Sequence, residues 1–276
     1  MVGRLRLGST VLAALTSGVV GLLGGPGAQA AGTCGSEALA HRGGHTAKVD
    51  ENTLESIEQA YEVGAWTEND VFLTKDGQFA IIHNQGIGAT TNCKGDVKTW
   101  LMADIKAQCR TEPNSQQVPT AQEAFATLAG NPGQVMNLEV KGAGWFANKN
   151  AKLVQLYNAA NSAGVGDRVY FSNDSTYQIL TGLRDSAPGA KTAWKPDPDE
   201  PNFTTTYANE LGADAVMAWG KQWTSQSVAQ FKSAGFQVWG KRSDAQSVWQ
   251  RNWKIGLKAQ LTNLPGQYNT WCNSVG

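Results

Sequence analysis

The chain has 276 residues, of which 41% are hydrophobic and 17% charged, and its 23 basic residues balance its 23 acidic residues. Near-neutral charge without a basic stripe argues against a nucleic acid as partner, and it gives no reason to expect binding to an anionic membrane surface. A chain of this length can bury a substantial hydrophobic core.

Residues 1–30 have the pattern of a secretory signal peptide. Arg4 and Arg6 make the start basic, an apolar and glycine-rich run follows, and an A-x-A cleavage pattern ends at Ala30. A membrane anchor is the alternative, but it would need roughly 20 mainly apolar residues. We therefore expect a secreted, extracellular protein with no stable membrane span and a single mature domain, residues 31–276.

Four cysteines in an exported chain predict two disulfides, for which three pairings exist. The cysteines have no C-x-x-C spacing, which argues against a structural zinc site. We favour Cys93–Cys109, which would close a local loop, and Cys34–Cys272, which would join the two ends of the mature chain. The second pairing requires these ends to meet, as they do when a sheet closes into a barrel.

From Glu37 onward, strand-like runs alternate with helix-like runs. The first strand, EALAHRG, is followed by an amphipathic helix, TLESIEQAYEVG, with Asn52 or Thr53 as its N-cap and Gly64 as its stop. Residues 67–84 predict two short strands around a Lys-Asp-Gly turn. Later strands are expected at 134–141, 167–173, 191–195, 213–219, 236–241 and 258–263, and later helices at 121–130, 150–164, 176–186, 204–212, 225–235 and 245–256.

One main strand per unit gives eight strands, each usually followed by a helix, which predicts an α/β fold closed as a (β/α)8 TIM barrel. An open doubly wound sheet is the alternative, but HRGGH after the first strand does not fit its G-x-G-x-x-G turn. Residues 85–117 form a short insertion after the second strand, which would be closed by one disulfide. This insertion and the acidic loop 195–203 would leave from the carboxyl ends of strands, where barrel active sites lie.

Three carboxylates are predicted to point into the barrel. Strand residues alternate between the two faces, so Glu68 and Asp70 share one face of their strand, and Glu139 lies on the matching face of QVMNLEVK. Buried carboxylates at close quarters repel each other, and one divalent cation, Ca²⁺ or Mg²⁺, would relieve that repulsion. Surface acids on an edge strand are the alternative interpretation.

Two of the three histidines, His41 and His83, each end a predicted strand and would join these acids. Such a pair suggests a general acid and a general base, and neither histidine has the spacing of a zinc motif. Arg42 and Lys141 add positive charge suited to a phosphate group. We expect the third histidine, His45, to be solvated and to take no part.

The sequence resembles the glycerophosphodiester phosphodiesterase family, which has the barrel fold of phospholipase C-like phosphodiesterases. The resemblance is carried by HRG at 41–43, ENT at 51–53, E-x-D at 68–70, LTKDG at 73–77, His83 and LEVK at 138–141. It implies hydrolysis of glycerophosphodiesters to glycerol phosphate and an alcohol. It also implies that Glu68, Asp70 and Glu139 hold the metal, that His41 and His83 act as acid and base, and that Arg42 and Lys141 bind the phosphate.

The resemblance also implies residues at the rim of the site. Glu51 is a further candidate for the network on the metal side, and Trp239 falls where the family has an aromatic residue, although core packing explains it equally well. The chain departs from the family pattern at Asn84, where the family has Asp after the histidine. It departs again at Thr262-Asn263-Leu264-Pro265, in place of T-D-x-P, and after Trp239, where Gly-Lys-Arg replaces Thr-Val-Asn.

Three other functions are compatible with parts of the sequence. A secreted phospholipase D or sphingomyelinase D would share the fold and site but act on lysophospholipids or sphingolipids. A glycoside hydrolase would use paired carboxylates but leaves His41, His83 and Lys141 without a role. A non-catalytic barrel that binds phosphate-bearing ligands would lack a catalytic group, and none is missing. We expect a monomer acting on a small-molecule glycerophosphodiester or lipid-derived substrate.

Overall fold

The structure is a computed structural model that describes residues 33–145, 147–174 and 176–276. The expected signal peptide lies outside the described residues and stays a prediction. Within the described residues, no helix is long and apolar enough to cross a membrane.

Eight parallel strands of the described chain form a closed barrel, which confirms the predicted fold class. The strands are β1 (Glu37–Ala40), β2 (Trp66–Leu73), β3 (Phe79–Ile81), β4 (Met136–Val140), β5 (Val169–Asn173), β6 (Lys191–Trp194), β7 (Ala215–Ala218), β8 (Gln237–Gly240) and β9 (Ala259–Thr262). The order around the sheet is β1-β9-β8-β7-β6-β5-β4-β2, and pairing of β1 with β2 closes it, while β3 lies antiparallel on β2.

Helices cover the outside of this barrel. They are α1 (Leu54–Glu62), α2 (Met102–Gln108), α3 (Ala121–Gly130), α4 (Ala147–Ser162), α5 (Gln178–Ser186), α6 (Thr205–Leu211), α7 (Ser225–Ser233), α8 (Gln246–Lys254) and α9 (Pro265–Val275). Several begin at a side-chain cap. Thr53, not Asn52, is the N-cap of α1, and the Thr53 hydroxyl accepts a hydrogen bond from Ser56 N. Thr120 and Glu123 form a capping box at α3.

The apolar side chains form two layers separated by the barrel wall. The outer layer lies between strands and helices and includes Val71, Leu138 and Val140, as the alternation of the strands predicts. The inner layer fills the barrel below the active-site end, where Tyr170 and Trp239 pack edge to face with ring centroids 4.9 Å apart. Because these apolar residues of β2 and β4 point outward, the opposite faces of the two strands can carry polar side chains into the barrel.

Both predicted disulfides are present. Cys34–Cys272 joins the residues before β1 to α9, and Cys93–Cys109 lies within the insertion. The insertion contains α2 and packs Met102 and Ile105 into a small apolar cluster that also includes Phe72 of β2 and Ala80 of β3. Its position after the antiparallel strand β3 places it beside the carboxyl ends of the barrel strands.

Candidate active site

The carboxyl ends of the barrel strands surround a cavity of about 440 Å³ whose walls are dominated by charged side chains. Eight of the residues singled out from the sequence line it: His41, Arg42, Glu51, Glu68, Asp70, His83, Glu139 and Lys141. His45, expected to be a solvated bystander, also lines the cavity and is half-buried. Residues far apart in the chain are thus brought to one end of the barrel.

Glu68, Asp70 and Glu139 form a buried carboxylate cluster in the floor of this cavity. Asp70 pairs with Glu139 in the register of β2 and β4, and one carboxylate oxygen of each acid lies within 4.8 Å of the others. Burial, followed by the charge of Asp70, raises the pKa of Glu68 to about 8. Burial also raises the pKa of Asp70, against the lowering effect of Lys141.

The cluster fits a divalent cation. Three buried carboxylates supply hard oxygen ligands of the kind that Ca²⁺ and Mg²⁺ prefer. Burial raises the pKa values of Glu68 and Asp70, and the nearby lysines do not offset that effect. A doubly charged ion bound between the oxygens would supply the missing positive charge.

Two lysines balance the third acid. Lys141 Nζ lies 3.0 Å from Glu139 Oε1 and 3.3 Å from Asp70 Oδ1, and Lys195 Nζ contacts Glu139 Oε2. Burial alone would raise the pKa of Glu139, but Lys195 and Lys141 together lower it to about 2. Glu139 is therefore ionised while its neighbour Glu68 resists ionisation.

Arg42 connects the acids to one histidine. Its Nη1 donates to both carboxylate oxygens of Glu51 at 3.0 and 3.1 Å, its backbone N–H donates to Glu68 Oε2, and its Nη2 lies 2.7 Å from His83 Nε2. Because arginine has only donors, Nε2 of His83 accepts this hydrogen bond. The proton of the neutral ring is then on Nδ1, which donates to Asn84 Oδ1 at 3.1 Å.

The other histidine, His41, is held by a different amide. Its Nδ1 lies 2.7 Å from Asn263 Oδ1. Burial, together with the nearby charges of Arg42 and Arg242, lowers the pKa of His41 to about 4, although the Asn263 hydrogen bond acts in the opposite direction. His41 is therefore neutral at physiological pH.

Residues 41–266, which include every group described above, match the model of the glycerophosphoryl diester phosphodiesterase family. The chain belongs to this family. A glycerophosphodiester phosphodiesterase of Caldanaerobacter subterraneus subsp. tengcongensis is 32% identical over 160 residues, which cover 55% of this chain and 63% of the relative. The chain thus spans less than two thirds of that relative's length.

Solved structures of glycerophosphodiester phosphodiesterases have the same fold. One from Parabacteroides distasonis superposes with a TM-score of 0.73 at 17% identity and covers 87% of this chain and 98% of that chain. A phosphodiesterase of Oleispira antarctica, in complex with the product sn-glycerol-3-phosphate, has a TM-score of 0.68 at 22% identity and covers 85% of this chain and 95% of that chain. At these identities the superpositions establish the barrel.

The three residues of the ENT motif each have a different role in this family member. Glu51 holds the guanidinium of Arg42, and Thr53 caps α1. Asn52, with a left-handed φ of 56°, donates from Nδ2 to Asp70 Oδ2 at 2.9 Å and accepts from Asp70 N at 3.0 Å. Sequence reasoning missed this role because it weighed Asn52 only as a helix cap.

The HRG motif is explained by close packing. Gly43 has a φ of 84°, and a Cβ at this position would overlap Ser56 Oγ at the start of α1. Arg42 has a left-handed φ of 56°, which costs free energy in a residue with a side chain. This turn holds Arg42 between Glu51 and His83.

The far side of the cavity contains cations that the sequence analysis missed. Lys195 follows β6 and is 3% exposed, with Nζ 3.3 Å from Asp174 Oδ2. Lys241 follows β8, with Nζ 2.5 Å from Asp174 Oδ1. Both lysines occupy the position that Lys141 occupies after β4, the residue just beyond a strand end. Applying the same rule to KTAWK and FQVWGK would have found them.

The aromatic residue at the rim is Trp219, not Trp239. Trp219 follows β7, is 39% exposed and has Lys241 Nζ 5.4 Å from its ring centroid. Trp239 lies one residue before the end of β8, so its inward side chain is buried in the barrel interior against Tyr170 and Trp66. Of the two interpretations weighed for Trp239, the structure therefore supports core packing.

Proposed function

We propose that this family member is a metal-dependent phosphodiesterase that hydrolyses glycerophosphodiesters to glycerol phosphate and an alcohol. One observation carries the proposal: a single cavity brings together a buried three-carboxylate cluster, two histidines and the basic side chains of Arg42 and Lys141. The name of the 32% identical relative and the sn-glycerol-3-phosphate bound to the Oleispira protein support the same reaction and product class.

The basic side chains would bind the phosphodiester. Arg42, Lys141 and Lys195 all line the cavity, so a phosphate bound there would meet several cationic donors. Charge-assisted hydrogen bonds of this kind hold the non-bridging oxygens and stabilise their charge as the reaction proceeds. Binding of a neutral glycoside would make no use of the positive charge of these side chains, which argues against a glycoside hydrolase.

The carboxylate cluster would hold the metal. A Ca²⁺ or Mg²⁺ ion bound by Glu68, Asp70 and Glu139 would polarise a phosphoryl oxygen as a Lewis acid. Asn52 fixes the orientation of Asp70, and the Arg42 backbone N–H fixes Glu68. The ligand oxygens are therefore oriented by the protein, which favours a defined coordination geometry.

The two histidines would move the protons. One takes a proton from the attacking water as its oxygen bonds to phosphorus, and the other protonates the departing alcohol oxygen as the second phosphorus–oxygen bond breaks. His41 and His83 both line the cavity and both are oriented through Nδ1 by an asparagine, Asn263 and Asn84. Asn84 is thus a neutral hydrogen-bond acceptor, at the sequence position where the resemblance implies an aspartate.

We also propose that the protein is exported, with residues 1–30 removed, and that it acts as a monomer. The two disulfides support export, because such bonds form and persist in oxidising compartments. Expression with residues 1–30 and analysis of the culture medium tests this point. An intact amino terminus retained inside the cell would contradict it.

A panel assay tests the reaction. Glycerophosphodiesters with several alcohols, lysophospholipids and sphingomyelin are each incubated with Ca²⁺ or Mg²⁺, and the released alcohol and phosphorus products are identified. We expect glycerol phosphate from the glycerophosphodiesters. Turnover confined to sphingomyelin or lysophospholipids would favour the phospholipase D alternative, and the absence of any phosphodiester turnover would refute the proposal.

A further inference from the structure

Behind His41 lies a hydrogen-bonded chain that ends in a carboxylate. Asp244, in the loop after β8, accepts from Asn263 Nδ2 through Oδ2 at 2.7 Å and from Asn263 N through Oδ1 at 2.7 Å. Asn263, just beyond β9, presents its Oδ1 to His41 Nδ1 at 2.7 Å. The carboxylate of Asp244 therefore reaches the imidazole only through the amide of Asn263.

The chemistry of these groups fixes which way the amide of Asn263 faces. Burial alone would raise the pKa of Asp244, but hydrogen bonds from the Asn263 backbone and the Thr262 hydroxyl outweigh it and lower the pKa. An ionised carboxylate only accepts hydrogen bonds. The NH₂ end of Asn263 must therefore face Asp244, and its carbonyl oxygen must face His41.

The same logic sets the tautomer of His41. A carbonyl oxygen only accepts, so His41 Nδ1 donates, and the lone pair of the neutral ring is on Nε2. Among the described residues, nothing hydrogen-bonds to Nε2 of His41, whereas Nε2 of His83 is engaged by Arg42. The two histidines thus have the same tautomer but differ in whether the basic nitrogen is available.

We infer that Asp244 is a positioning residue that acts through Asn263 to hold His41 with its proton on Nδ1, so that Nε2 serves as the general base. This inference rests on the proposed function. In the step assigned, His41 Nε2 takes a proton from water as the oxygen–phosphorus bond forms. The phosphorus–oxygen bond to the alcohol breaks as the alcohol oxygen takes a proton from the imidazolium form of His83, in which Nε2 carries the proton and no longer accepts from Arg42.

The tautomer can be measured directly and without substrate. The chain has only three histidines, so ¹⁵N NMR of the imidazole nitrogens in metal-free and Mg²⁺-loaded protein can be assigned with single His→Gln variants. We expect His41 to carry its proton on Nδ1 in both forms at neutral pH. A proton on Nε2 would overturn the inference, whatever the fate of the proposed activity.

Variants test whether Asp244 sets that tautomer. Asp244→Asn provides an amide that can donate to Asn263, so Asn263 can turn its own NH₂ towards His41 and force the proton onto Nε2. We expect kcat to fall about 10²-fold or more with little change in KM, the scale of lost acid–base catalysis. Asp185→Asn on the exposed face of α5 is the matched control and should leave kcat unchanged.

Asp244 also supports the end of β9, because it accepts hydrogen bonds from the Thr262 hydroxyl and the Asn263 backbone. Exchanging the residues at positions 244 and 263 separates this structural role from the positioning of His41. In the double variant Asp244→Asn/Asn263→Asp, the new carboxylate accepts directly from His41 Nδ1. We expect kcat to recover to within about tenfold of wild type. No recovery, together with an unchanged His41 tautomer in Asp244→Asn, would reduce Asp244 to a structural role and overturn the inference.

Two further outcomes of these experiments can also be interpreted. If Asp244→Asn does not fold, the NMR measurement on the wild-type protein decides the tautomer. If the wild-type protein hydrolyses no phosphodiester, the proposed function fails, and the spectrum still reports how His41 is held.

Discussion

The two sides of the cavity carry opposite excess charge. The side built by β1, β2 and β4 holds four acids against Arg42 and Lys141, whereas the side built by β5 to β9 holds Lys195, Lys241 and Arg242 against Asp174. The acidic side is suited to a metal cation and the basic side to an anion. A phosphodiester lying between them would contact both, and each side can be tested separately.

Removal of the divalent cation should have the largest effect, because it disables the acidic side as a whole. We expect EDTA to abolish phosphodiesterase activity and added Ca²⁺ or Mg²⁺ to restore it. EDTA saturated beforehand with the same ion serves as the control. Full activity in the metal-free protein would remove the metal role of Glu68, Asp70 and Glu139.

Loss of either histidine tests the proposed acid–base groups. We expect His41→Ala and His83→Ala each to lower kcat by about 10²-fold or more, the usual contribution of a general acid or base. Steady-state kinetics checks this, and thermal unfolding shows whether the variants are folded. A folded variant with a near-wild-type rate would exclude its histidine from the mechanism.

Lys195→Met tests the basic side while keeping the length of the side chain. We expect kcat/KM to fall about 10- to 100-fold, since a hydrogen bond to a charged group contributes about 1.5–3 kcal/mol. Lys221→Met is the matched control, because Lys221 is 57% exposed and pairs with the exposed Asp199. If Lys195→Met only lowers the melting temperature, Lys195 supports Glu139 and does not contact the phosphate.

On the acidic side, the stability of the protein should also change with pH. The pKa of Glu68 rises from 4.5 to about 8 on folding, so the folded protein binds this proton more tightly. Stability of the metal-free protein should therefore fall as pH rises between these values, by at most about 1.4 kcal/mol per pH unit. Asp70 acts in the same direction.

The window from pH 6.5 to 8 isolates this effect from that of His41. The pKa of His41 is lowered from 6.5 to about 4, so it contributes the opposite slope only below pH 6.5. Denaturant unfolding of wild-type protein and Glu68→Gln in EDTA measures the difference. Equal slopes in the two proteins would show that Glu68 ionises normally.

Much of the acidic side could be predicted from the sequence, because it depends on local periodicity. The alternation of a strand places Glu68 with Asp70 and faces Glu139 inward, while strand ends deliver His41 and His83 to one edge. Repeating βα units predicted the closed barrel, and barrel closure made the pairing of Cys34 with Cys272 reasonable. Each of these conclusions needs only two-residue periodicity and the parallel alignment of strands.

The partners of the lysines on the basic side and the support of His41 were decided by the tertiary structure. Lys195 contacts Glu139, which is 56 residues away in the sequence, and Asn263 contacts His41, which is 222 residues away. No local sequence pattern links the members of either pair. Trp239 and Trp219 both lie near strand ends, but Trp219 lies two positions further along in the strand register, so the first is buried and the second is exposed at the rim. Side-chain partners across a barrel depend on register and closure, which the sequence specifies only through the complete fold.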